Sequence, residues 1–448
     1  MVTPSEFPTR VIDFVLNARF EDLPDHVVRF AQRCLLDLLG VAAAGRTTEL
    51  SSIISQHATS HFGGGLKSAP ILFDGRLVSP VGAALANGMT IDSIDAHDGH
   101  KITKGHTGCH QLPALMAFSA AEHRDDPRAF LADLVVGYEF ATRVGIALHA
   151  TVPDYHTSGA WGAVGCAALG ARILGLDPAP TFEAMGIAEY HGPRSQMMRV
   201  IDHPTMLKDG SGWGAMAGVS AAYLAAEGFT GSPAVTVNDP EIAWVWDDIG
   251  ARWLIEDQYF KPHPVCRWAQ PAVEAALSLC RTHSIGPADV ERVEVSTFHE
   301  AVRLATSLPE TTEEAQYSLP FPVAAAIVRG RLGPLEIGAA ALADDQIRAI
   351  STRVSIVEDV THNSAFPQHR FARVAIRLTD GRTVVSDDTE PRGDPEAHLS
   401  DREIRDKFSE FATPVLGAER TSAIEEAVDQ LPEANSLTTL LDLIVAPL

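Results

Sequence analysis

The chain has little positive charge. Its 448 residues include 35 lysines and arginines against 58 aspartates and glutamates, which gives a formal net charge of −23. A surface this acidic repels phosphate backbones and anionic membrane surfaces, so we expect neither nucleic acid nor membrane as a partner. Long hydrophobic runs are also missing. The most apolar stretch, residues 159–176, contains Arg172 and much glycine and alanine, which predicts a buried helix and not a membrane span.

Cysteine is scarce as well. The five cysteines are far apart in sequence and form no Cys-x-x-Cys pair, which argues against a zinc ribbon and against a cysteine-bound iron–sulfur cluster. The N-terminal residues lack the basic region and the apolar region of a signal peptide. Both observations predict a cytoplasmic protein.

Lysine is rare in a chain where arginine supplies most of the positive charge, since six of the 35 basic residues are lysines. The few positions that keep a lysine are therefore candidates for tasks that arginine performs badly. A buried lysine can lose its proton and act as a base, and it can present a compact charge, whereas arginine stays protonated.

The hydrophobic pattern predicts a mainly α-helical protein with a smaller α+β domain. Apolar residues recur at helical spacing through most of the first 265 residues, in segments rich in alanine and glycine. Beyond that point, residues 290–298 alternate as in a half-buried strand, and Asp380-Gly381 separates two strand-like runs as in a β-hairpin. We predict a large helical domain over residues 1–265, an α+β lid domain over 266–400, and C-terminal helices over 401–448 that return to the helical domain.

Residues 92–110 concentrate four histidines, three aspartates and two lysines directly before an apolar helix. One interpretation is a metal site, with His97 and His100 beside Asp95 and Asp98. The other is an acid–base and anion-binding site. The segment lacks the His-x-x-x-His and His-Glu-x-x-His spacings of helical metal sites, and its lysines would repel a cation, so we expect no metal. A solvated polar loop is the structural alternative.

Other chemically capable residues precede a predicted helix or lie at the predicted domain boundary. They are His156, Arg194, Arg199, Lys208, Lys261 and Tyr317. A helix N-terminus presents free N–H groups and the positive end of the helix dipole, both of which suit a carboxylate. Each residue alone has a structural explanation as a cap, a packing aromatic or a surface charge. Together with the His-rich segment, they indicate a carboxylate-binding site.

A series of short motifs runs through nearly the whole chain. They are Leu-Pro-x-x-Val to Ala-Gly at 23–45, Ala-Asn-Gly at 86–88, Asp95 with His-Thr-Gly at 106–108, His-Thr at 156–157, Met-Leu-Lys at 206–208, Lys-Pro at 261–262 with Cys266, Tyr-Ser at 317–318, and Pro-Arg-Gly-Asp-Pro at 391–395. No single motif is specific, but six or more in this order resemble the MmgE/PrpD family.

The resemblance implies a fold and a chemistry. Known members include 2-methylcitrate dehydratase, cis-aconitate decarboxylase and iminodisuccinate epimerase, which are cofactor-free enzymes acting on di- and tricarboxylates. They combine a large helical domain with a smaller α+β lid, usually in a homodimer. We therefore expect a cofactor-independent lyase of the dehydratase type, which removes a proton next to a substrate carboxylate. Epimerisation and decarboxylation are alternatives on the same scaffold, and a non-catalytic carboxylate-binding protein is the alternative from another class.

The resemblance also implies roles for individual residues. The expected catalytic residues are Asp95, His106, His156, Lys208 and Tyr317. Lys261 and Cys266, which lie in a family motif, are expected to bind substrate, as are Arg194 and Arg199 in the loop before Lys208. His97, His100, Lys101 and Lys104 are extra to the family pattern and are candidates for substrate specificity. We expect His156 and Lys208 to form the proton-transfer pair, because a lysine near other cations has a lowered pKa. Asp95 is expected to fix the tautomer of His106.

Several features depart from the family pattern, and two of them bear most directly on the candidate site. The family's Asp-Phe-Asp-Asp core reads Asp-Ala-His-Asp at residues 95–98, and Ser211 stands where the family often has a histidine. These departures predict a substrate outside the family's standard set.

Overall fold

Helices make up most of the structure, a computed structural model that describes residues 7–448. They are α1 (Phe7–Asn17), α2 (Asp25–Gly45), α3 (Glu49–His61), α4 (Pro80–Asp92), α5 (Gly108–Ala121), α6 (Pro127–Thr151), α7 (Ser158–Leu174), α8 (Pro178–His191), α9 (Met198–Asp202), α10 (Ser211–Ala226), α11 (Val235–Asn238), α12 (Gln270–His283), α13 (His299–Val302), α14 (Thr312–Gln316), α15 (Pro320–Arg329), α16 (Ala339–Leu342), α17 (Asp345–Ser351), α18 (Val360–Ala365), α19 (Asp401–Leu416), α20 (Ala418–Gln430) and α21 (Thr438–Val445). Among these residues, no helix combines the length and the apolar character that a membrane crossing requires.

The strands form two short ribbons and one larger sheet. They are β1 (Ala69–Pro70), β2 (Leu77–Val78), β3 (Gly99–His100), β4 (Gln258–Tyr259), β5 (Val290–Thr297), β6 (Val354–Glu358), β7 (Ala372–Leu378) and β8 (Thr383–Val385). β1 pairs with β2, and β3 pairs with β4, both antiparallel. The larger sheet has the order β6-β5-β7-β8, in which β5 and β6 are parallel and the other neighbours are antiparallel. β7 and β8 form the hairpin predicted around Asp380-Gly381.

Small residues let the central helices of the helical part pack closely. α4 crosses α10 where Gly88 meets Gly212, and a Cβ on Gly88 would lie 2.6 Å from the Gly212 Cα. α10 contacts α7 in the same way, since a Cβ on Gly218 would lie 2.4 Å from the Ala163 carbonyl oxygen. Larger side chains would push these helices apart. Backbone contact therefore sets the spacing between the end of α4 and the start of α10.

The predicted fold class, mainly helical with a smaller α+β part, is confirmed. Gly40 does not end a helix, because α2 continues past it to Gly45. Gly40 instead gives α19 room to approach, because a Cβ there would lie 3.0 Å from the Cδ2 atom of Phe408. The domain boundaries near residues 265 and 400 stay a prediction.

The C-terminal helices contact the helical part through a buried ion pair. Lys407, on α19, donates from Nζ to Asp37 Oδ1 on α2 at 2.5 Å and to the Ala96 carbonyl oxygen at 2.6 Å. Burial lowers the pKa of Lys407 and raises the pKa of Asp37, while each charge favours the ionised form of the other. The pair fastens α19 to α2 and to the loop that follows α4.

Replacing Lys407 by methionine should destabilise the protein strongly, because the Asp37 side chain, at 0 % exposure, would lose its counter-ion. We expect the free energy of unfolding in urea to fall by about 3–5 kcal/mol, as when other buried ion pairs lose one partner. Arg402→Met is the matched control on the same helix: Arg402 and Asp406 are 90 % and 70 % exposed, so their pair should contribute little. The double variant Lys407→Met/Asp37→Leu should recover most of the loss, and a double variant as unstable as the single one would contradict the prediction.

Candidate active site

The His-rich segment between α4 and α5 is folded into the protein interior. The side chains of Asp95, His97 and His106 are 4 %, 0 % and 10 % exposed. The β3–β4 ribbon holds the segment in place, with Gly99 paired to Tyr259, and so brings it next to Lys261. The segment is therefore not a solvated polar loop.

Asp95 and Lys261 form a buried ion pair at the centre of the site. The Lys261 ammonium donates to Asp95 Oδ1, and to the Asp95 carbonyl oxygen at 3.3 Å. Burial alone would raise the pKa of Asp95, but the charge of Lys261 together with the other basic groups nearby outweighs burial and lowers that pKa. Likewise, burial opposes the charge of Lys261, but Asp95 raises the Lys261 pKa above its usual value. Both groups are ionised at neutral pH, and their charges cancel.

His106 is held as a neutral imidazole with a defined tautomer. Its Nδ1 lies 2.6 Å from the Asp98 carbonyl oxygen, which can only accept a hydrogen bond, so Nδ1 carries the proton. Burial and the charge of Lys261 lower the His106 pKa well below its usual value. The unprotonated Nε2 lies 3.9 Å from Asp95 Oδ1. The backbone of Asp98, and not the Asp95 carboxylate expected from the sequence, fixes the tautomer.

Lys208 lies behind Tyr317 and is fully buried. Its Nζ donates to Gln316 Oε1 at 2.6 Å and lies 4.7 Å from the centre of the Tyr317 ring. Burial lowers the pKa of Lys208, although Asp95 partly opposes that shift. Lys208 adopts φ of 50°, in the left-handed region that residues with a side chain rarely occupy, and Lys104 does the same at 51°. Strain of this kind is concentrated at functional sites.

Tyr317 keeps its proton at neutral pH and can donate it. Burial and the negative charge of Asp95 raise the pKa of the phenol well above its usual value. The side chain is on the wall of the cavity that Asp95 and Lys261 also line. Tyr317 is therefore placed as an acid or hydrogen-bond donor toward a ligand there.

A narrow cavity lies between the helical part and the α+β part. Its walls are formed by Asp95, Lys104, His106, Tyr155, Met197, Ile201, Tyr259, Lys261, Cys266, Arg267, Trp268, Tyr317 and Arg370. Burial and Asp95 raise the pKa of Cys266 to about 12, so Cys266 presents a neutral thiol. Six residues expected at the site thus share one cavity, with Lys208 directly behind it.

The cationic groups at the cavity fall into two kinds. Lys261 and Arg267 are neutralised within the protein by Asp95 and Asp394. In the part of the chain that the structure describes, Lys104, Lys208 and Arg370 have no carboxylate within 4.0 Å; these three residues are called the free cations below. Lys104 and Arg370 line the cavity, so their charge is available to an anionic ligand there, whereas Lys208 acts from behind Tyr317.

The sequence reasoning missed seven residues of the cavity wall. They are Tyr155, Met197, Ile201, Tyr259, Arg267, Trp268 and Arg370. Arg267 and Trp268 follow Cys266 directly, and Tyr155 precedes His156, so proximity to the motifs was an available signal. Arg370 lies in no motif, and only the fold brings it to the cavity.

Three predicted residues lie outside the cavity wall on the side of α7. His156 is buried just before α7, and its Nδ1 has no hydrogen-bond partner within residues 7–448. Burial and the charge of Arg194 lower the pKa of His156. Arg194 and Arg199 are exposed. Their roles in proton transfer and substrate binding stay predictions.

Two further predicted residues hold the loop and do not face the cavity. His100 accepts a hydrogen bond from the Thr103 N–H at 3.4 Å, and burial and the charge of Arg370 lower its pKa to about 3. Lys101 forms ion pairs with Asp394 at 3.0 Å and with Glu396 at 2.7 Å, in the segment before α19. Their contacts fasten the His-rich segment to the rest of the chain.

Comparison with known families agrees with this architecture. Residues 9–242 match the family model of the MmgE/PrpD N-terminal domain, and residues 263–433 match that of the MmgE/PrpD C-terminal domain. The chain belongs to the MmgE/PrpD family. The two matched regions contribute opposite walls of the cavity, with Asp95 from the first and Tyr317 from the second.

Curated relatives match over nearly the whole chain. It is 26 % identical to a cis-aconitate decarboxylase-like protein of Aspergillus oryzae, with 96 % of each chain covered. It is 25 % identical to the cis-aconitate decarboxylase of Homo sapiens, over 94 % of this chain and 91 % of the relative. It is 23 % identical to the cis-aconitate decarboxylase of Aspergillus terreus, over 96 % of this chain and 94 % of the relative. The expectation of an enzyme of the MmgE/PrpD type is confirmed.

The two departures from the MmgE/PrpD pattern meet at one carboxylate. His97 is fully buried behind His106, with the two rings edge to face and 4.3 Å apart, and its Nε2 lies 3.4 Å from Asp92 Oδ1. The backbone N–H of Ser211 donates to Asp92 Oδ2 at 3.2 Å. Neither residue lines the cavity, so they alter the support of His106 and not the wall that a substrate would touch.

Three side chains of this MmgE/PrpD site could in principle bind a metal ion. Asp95, His97 and His106 place one ligand atom each within 4.8 Å of one another. However, the Lys261 ammonium already contacts the Asp95 carboxylate, and a divalent cation there would face that charge directly. The donor set does not suit a metal while Lys261 is protonated.

We therefore expect the purified protein to hold no stoichiometric zinc or iron, and a chelator to leave its melting temperature unchanged. Lys261→Met is the informative variant, because it removes the competing ammonium and frees Asp95. Zinc should raise the melting temperature of Lys261→Met and leave the wild type unchanged. Stoichiometric zinc in the wild type by elemental analysis, with stability lost to chelator, would contradict the prediction.

Proposed function

We propose that the chain is a cofactor-independent lyase that removes CO2 from a small unsaturated tricarboxylate of the cis-aconitate type. The observation that carries the proposal is the set of three free cations at one cavity: Lys104 and Arg370 on its wall, and Lys208 directly behind it. Such a cavity neutralises a multiply charged anion without help from a metal. The resemblance to proteins named as cis-aconitate decarboxylases supports the choice of reaction.

The proposed reaction moves one electron pair along a three-carbon unit. In a β,γ-unsaturated tricarboxylate, the bond between the α carbon and its carboxylate breaks, and CO2 leaves. The electron pair of that bond forms the new α,β double bond, and the pair of the old double bond takes up a proton at the γ carbon. The enzyme must therefore supply one proton and stabilise negative charge next to the remaining carboxylates.

Lys208 and Tyr317 are suited to supply that proton. Tyr317 holds its phenolic proton on the cavity wall, and the buried Lys208 ammonium lies against its ring. His106 is a poor proton donor toward the cavity, because its proton is on Nδ1 and its Nε2 is unprotonated. We assign the proton donor to Lys208 and Tyr317, and the orientation of the substrate to the Asp95–Lys261 pair.

The apolar residues of the wall favour decarboxylation over dehydration. Met197, Ile201 and Trp268 line the cavity together with the cationic groups. A carboxylate against an apolar surface loses favourable hydration, whereas the neutral CO2 that it becomes loses little. The apolar surface therefore favours the loss of CO2. Dehydration is the second candidate, because the unprotonated Nε2 of His106 is a suitable base and Tyr317 a suitable acid for a leaving hydroxide.

The reaction is tested by following both products in one panel. The protein is incubated in D2O with cis-aconitate and, separately, with 2-methylcitrate as the hydroxylated substrate. Decarboxylation releases CO2 and places one deuterium at the γ carbon, which NMR detects, whereas dehydration releases no CO2 and creates a new alkene absorbance. CO2 release from cis-aconitate supports the proposal. Turnover of 2-methylcitrate alone would contradict the decarboxylase proposal and indicate a dehydratase. Turnover of neither substrate would indicate a carboxylate-binding protein without catalysis.

Lys208→Arg should lower kcat by about 10²–10⁴-fold, the usual contribution of a general acid–base group. The exchange keeps the charge but replaces an ammonium whose pKa is lowered by burial with a guanidinium that cannot lose its proton. Lys67→Arg controls for any general effect of replacing lysine by arginine and should leave kcat unchanged, because Lys67 is on the surface and pairs with Glu122. Near-normal kcat in Lys208→Arg, measured at saturating substrate, would show that Lys208 acts only through its charge.

We also propose a homodimer, as the family resemblance implies. Large apolar side chains beside the site are exposed in the single chain, including Leu207 at 67 % and Trp213 at 40 %. Their cover by a second copy would bury the segment that carries Lys208. Light scattering at micromolar concentration should give twice the mass of the chain, and the monomer mass would contradict the proposal.

A further inference from the structure

Arg370 differs from the other buried arginines in how its charge is balanced. Residues 7–448 contain three arginines with almost no exposed surface: Arg143, Arg267 and Arg370. Arg143 is paired with Glu139 and Asp248, and Arg267 is paired with Asp394. Arg370 donates only from Nη2 to the Lys101 carbonyl oxygen, at 3.2 Å. Within the described residues, its Nε and Nη1 are buried without a hydrogen-bond partner.

An unpaired guanidinium inside a protein is costly. A buried charge is stable only when it is paired or fully hydrogen-bonded, and arginine cannot escape the cost by losing its proton. The protein therefore retains a charged group whose partner is absent from the chain itself. A carboxylate entering the cavity would supply that partner through charge-assisted hydrogen bonds to the unused N–H groups.

Arg370 reaches the cavity away from the groups assigned to proton transfer. It lies just before β7, in the α+β part, and its guanidinium is 5.6 Å from the centre of the Tyr259 ring. Lys208 and the backbone N–H of Asp95, in contrast, share Gln316 Oε1 as their acceptor. Arg370 and Lys208 thus have no contact residue in common, and we place the proton-transfer end of the cavity around Tyr317 and the cationic end around Arg370.

We infer that Arg370 binds the substrate carboxylate farthest from the reacting carbon, and so makes the site selective for tricarboxylates over dicarboxylates. The inference rests on the proposed function for the class of ligand. Arg370 is a specificity residue supplied by the α+β part, whereas the proton-transfer groups surround the other end. A dicarboxylate would leave the guanidinium unpaired. It would therefore bind more weakly, by the free energy that the carboxylate–guanidinium contact contributes.

The inference is tested by binding, without turnover. The probes are tricarballylate, an unreactive saturated tricarboxylate, and succinate, which has one carboxylate fewer; isothermal titration calorimetry measures both. Arg370→Met should weaken tricarballylate binding by about 10- to 100-fold, the value of hydrogen bonds to a charged group, and should change succinate binding by less than about threefold. Arg370→Lys, which keeps the charge but loses the planar fork, should give an intermediate result.

The melting temperature without ligand separates a binding role from a structural one. Removing an unpaired buried charge should leave the melting temperature of Arg370→Met equal to or above that of the wild type. Arg267→Met is the matched control: it lines the same cavity but loses the ion pair with Asp394, so its melting temperature should fall. A destabilised Arg370→Met with unchanged tricarballylate binding would overturn the inference, as would equal losses for tricarballylate and succinate.

The two proposals fail in different ways. If the wild type binds tricarballylate through Arg370 but releases no CO2 from cis-aconitate, the proposed reaction is wrong and the inference stands. If the wild type releases CO2 and Arg370→Met keeps the KM for cis-aconitate, the inference is wrong and the reaction stands. A wild type that binds neither probe and releases no CO2 overturns both.

Discussion

The buried ion pair between Asp95 and Lys261 is the interaction on which the site depends. Asp95 belongs to the loop after α4, and Lys261 belongs to the segment that leads from the helical part into the α+β part. Their contact, supported by the β3–β4 ribbon, joins these two regions at the cavity. In addition to burial, which is the larger cause, the charge of Lys261 lowers the pKa of His106 and the charge of Asp95 raises the pKa of Tyr317. The pair also occupies the carboxylate that a metal ion would need.

The protein balances most of its buried charge internally and leaves the remainder for a ligand. Asp37 pairs with Lys407, and Arg267 pairs with Asp394, so these groups are structural. The free cations are the exception, and they lie on or directly behind the wall of one cavity, in a chain whose net charge is −23. An acidic exterior does not steer an anionic substrate from a distance. Recognition must therefore come from contacts made within the cavity.

The sequence predicted the fold class and the residues that lie in family motifs. Helical periodicity and short motifs are local properties, and so α7, the β7–β8 hairpin and the positions of Asp95 and Lys261 could be found from them. Contacts between distant segments could not. The tautomer of His106 depends on where the Asp98 carbonyl points, and Arg370 reaches the cavity only through the packing of the α+β part. The burial that neutralises His156 and His100 is likewise a property of the fold, with no signal in their local sequence.

The glycine contact between α4 and α10 has a consequence for how this scaffold can change. The loop with Asp95 follows α4, and Lys208 directly precedes α10. The separation of Asp95 and Lys208 is therefore set by the backbone contact of α4 and α10 at Gly88 and Gly212. No side chain there can be trimmed or enlarged to adjust that distance gradually. Changes in the wall residues and in the α+β part, in contrast, could accommodate another substrate without moving the groups proposed to transfer the proton.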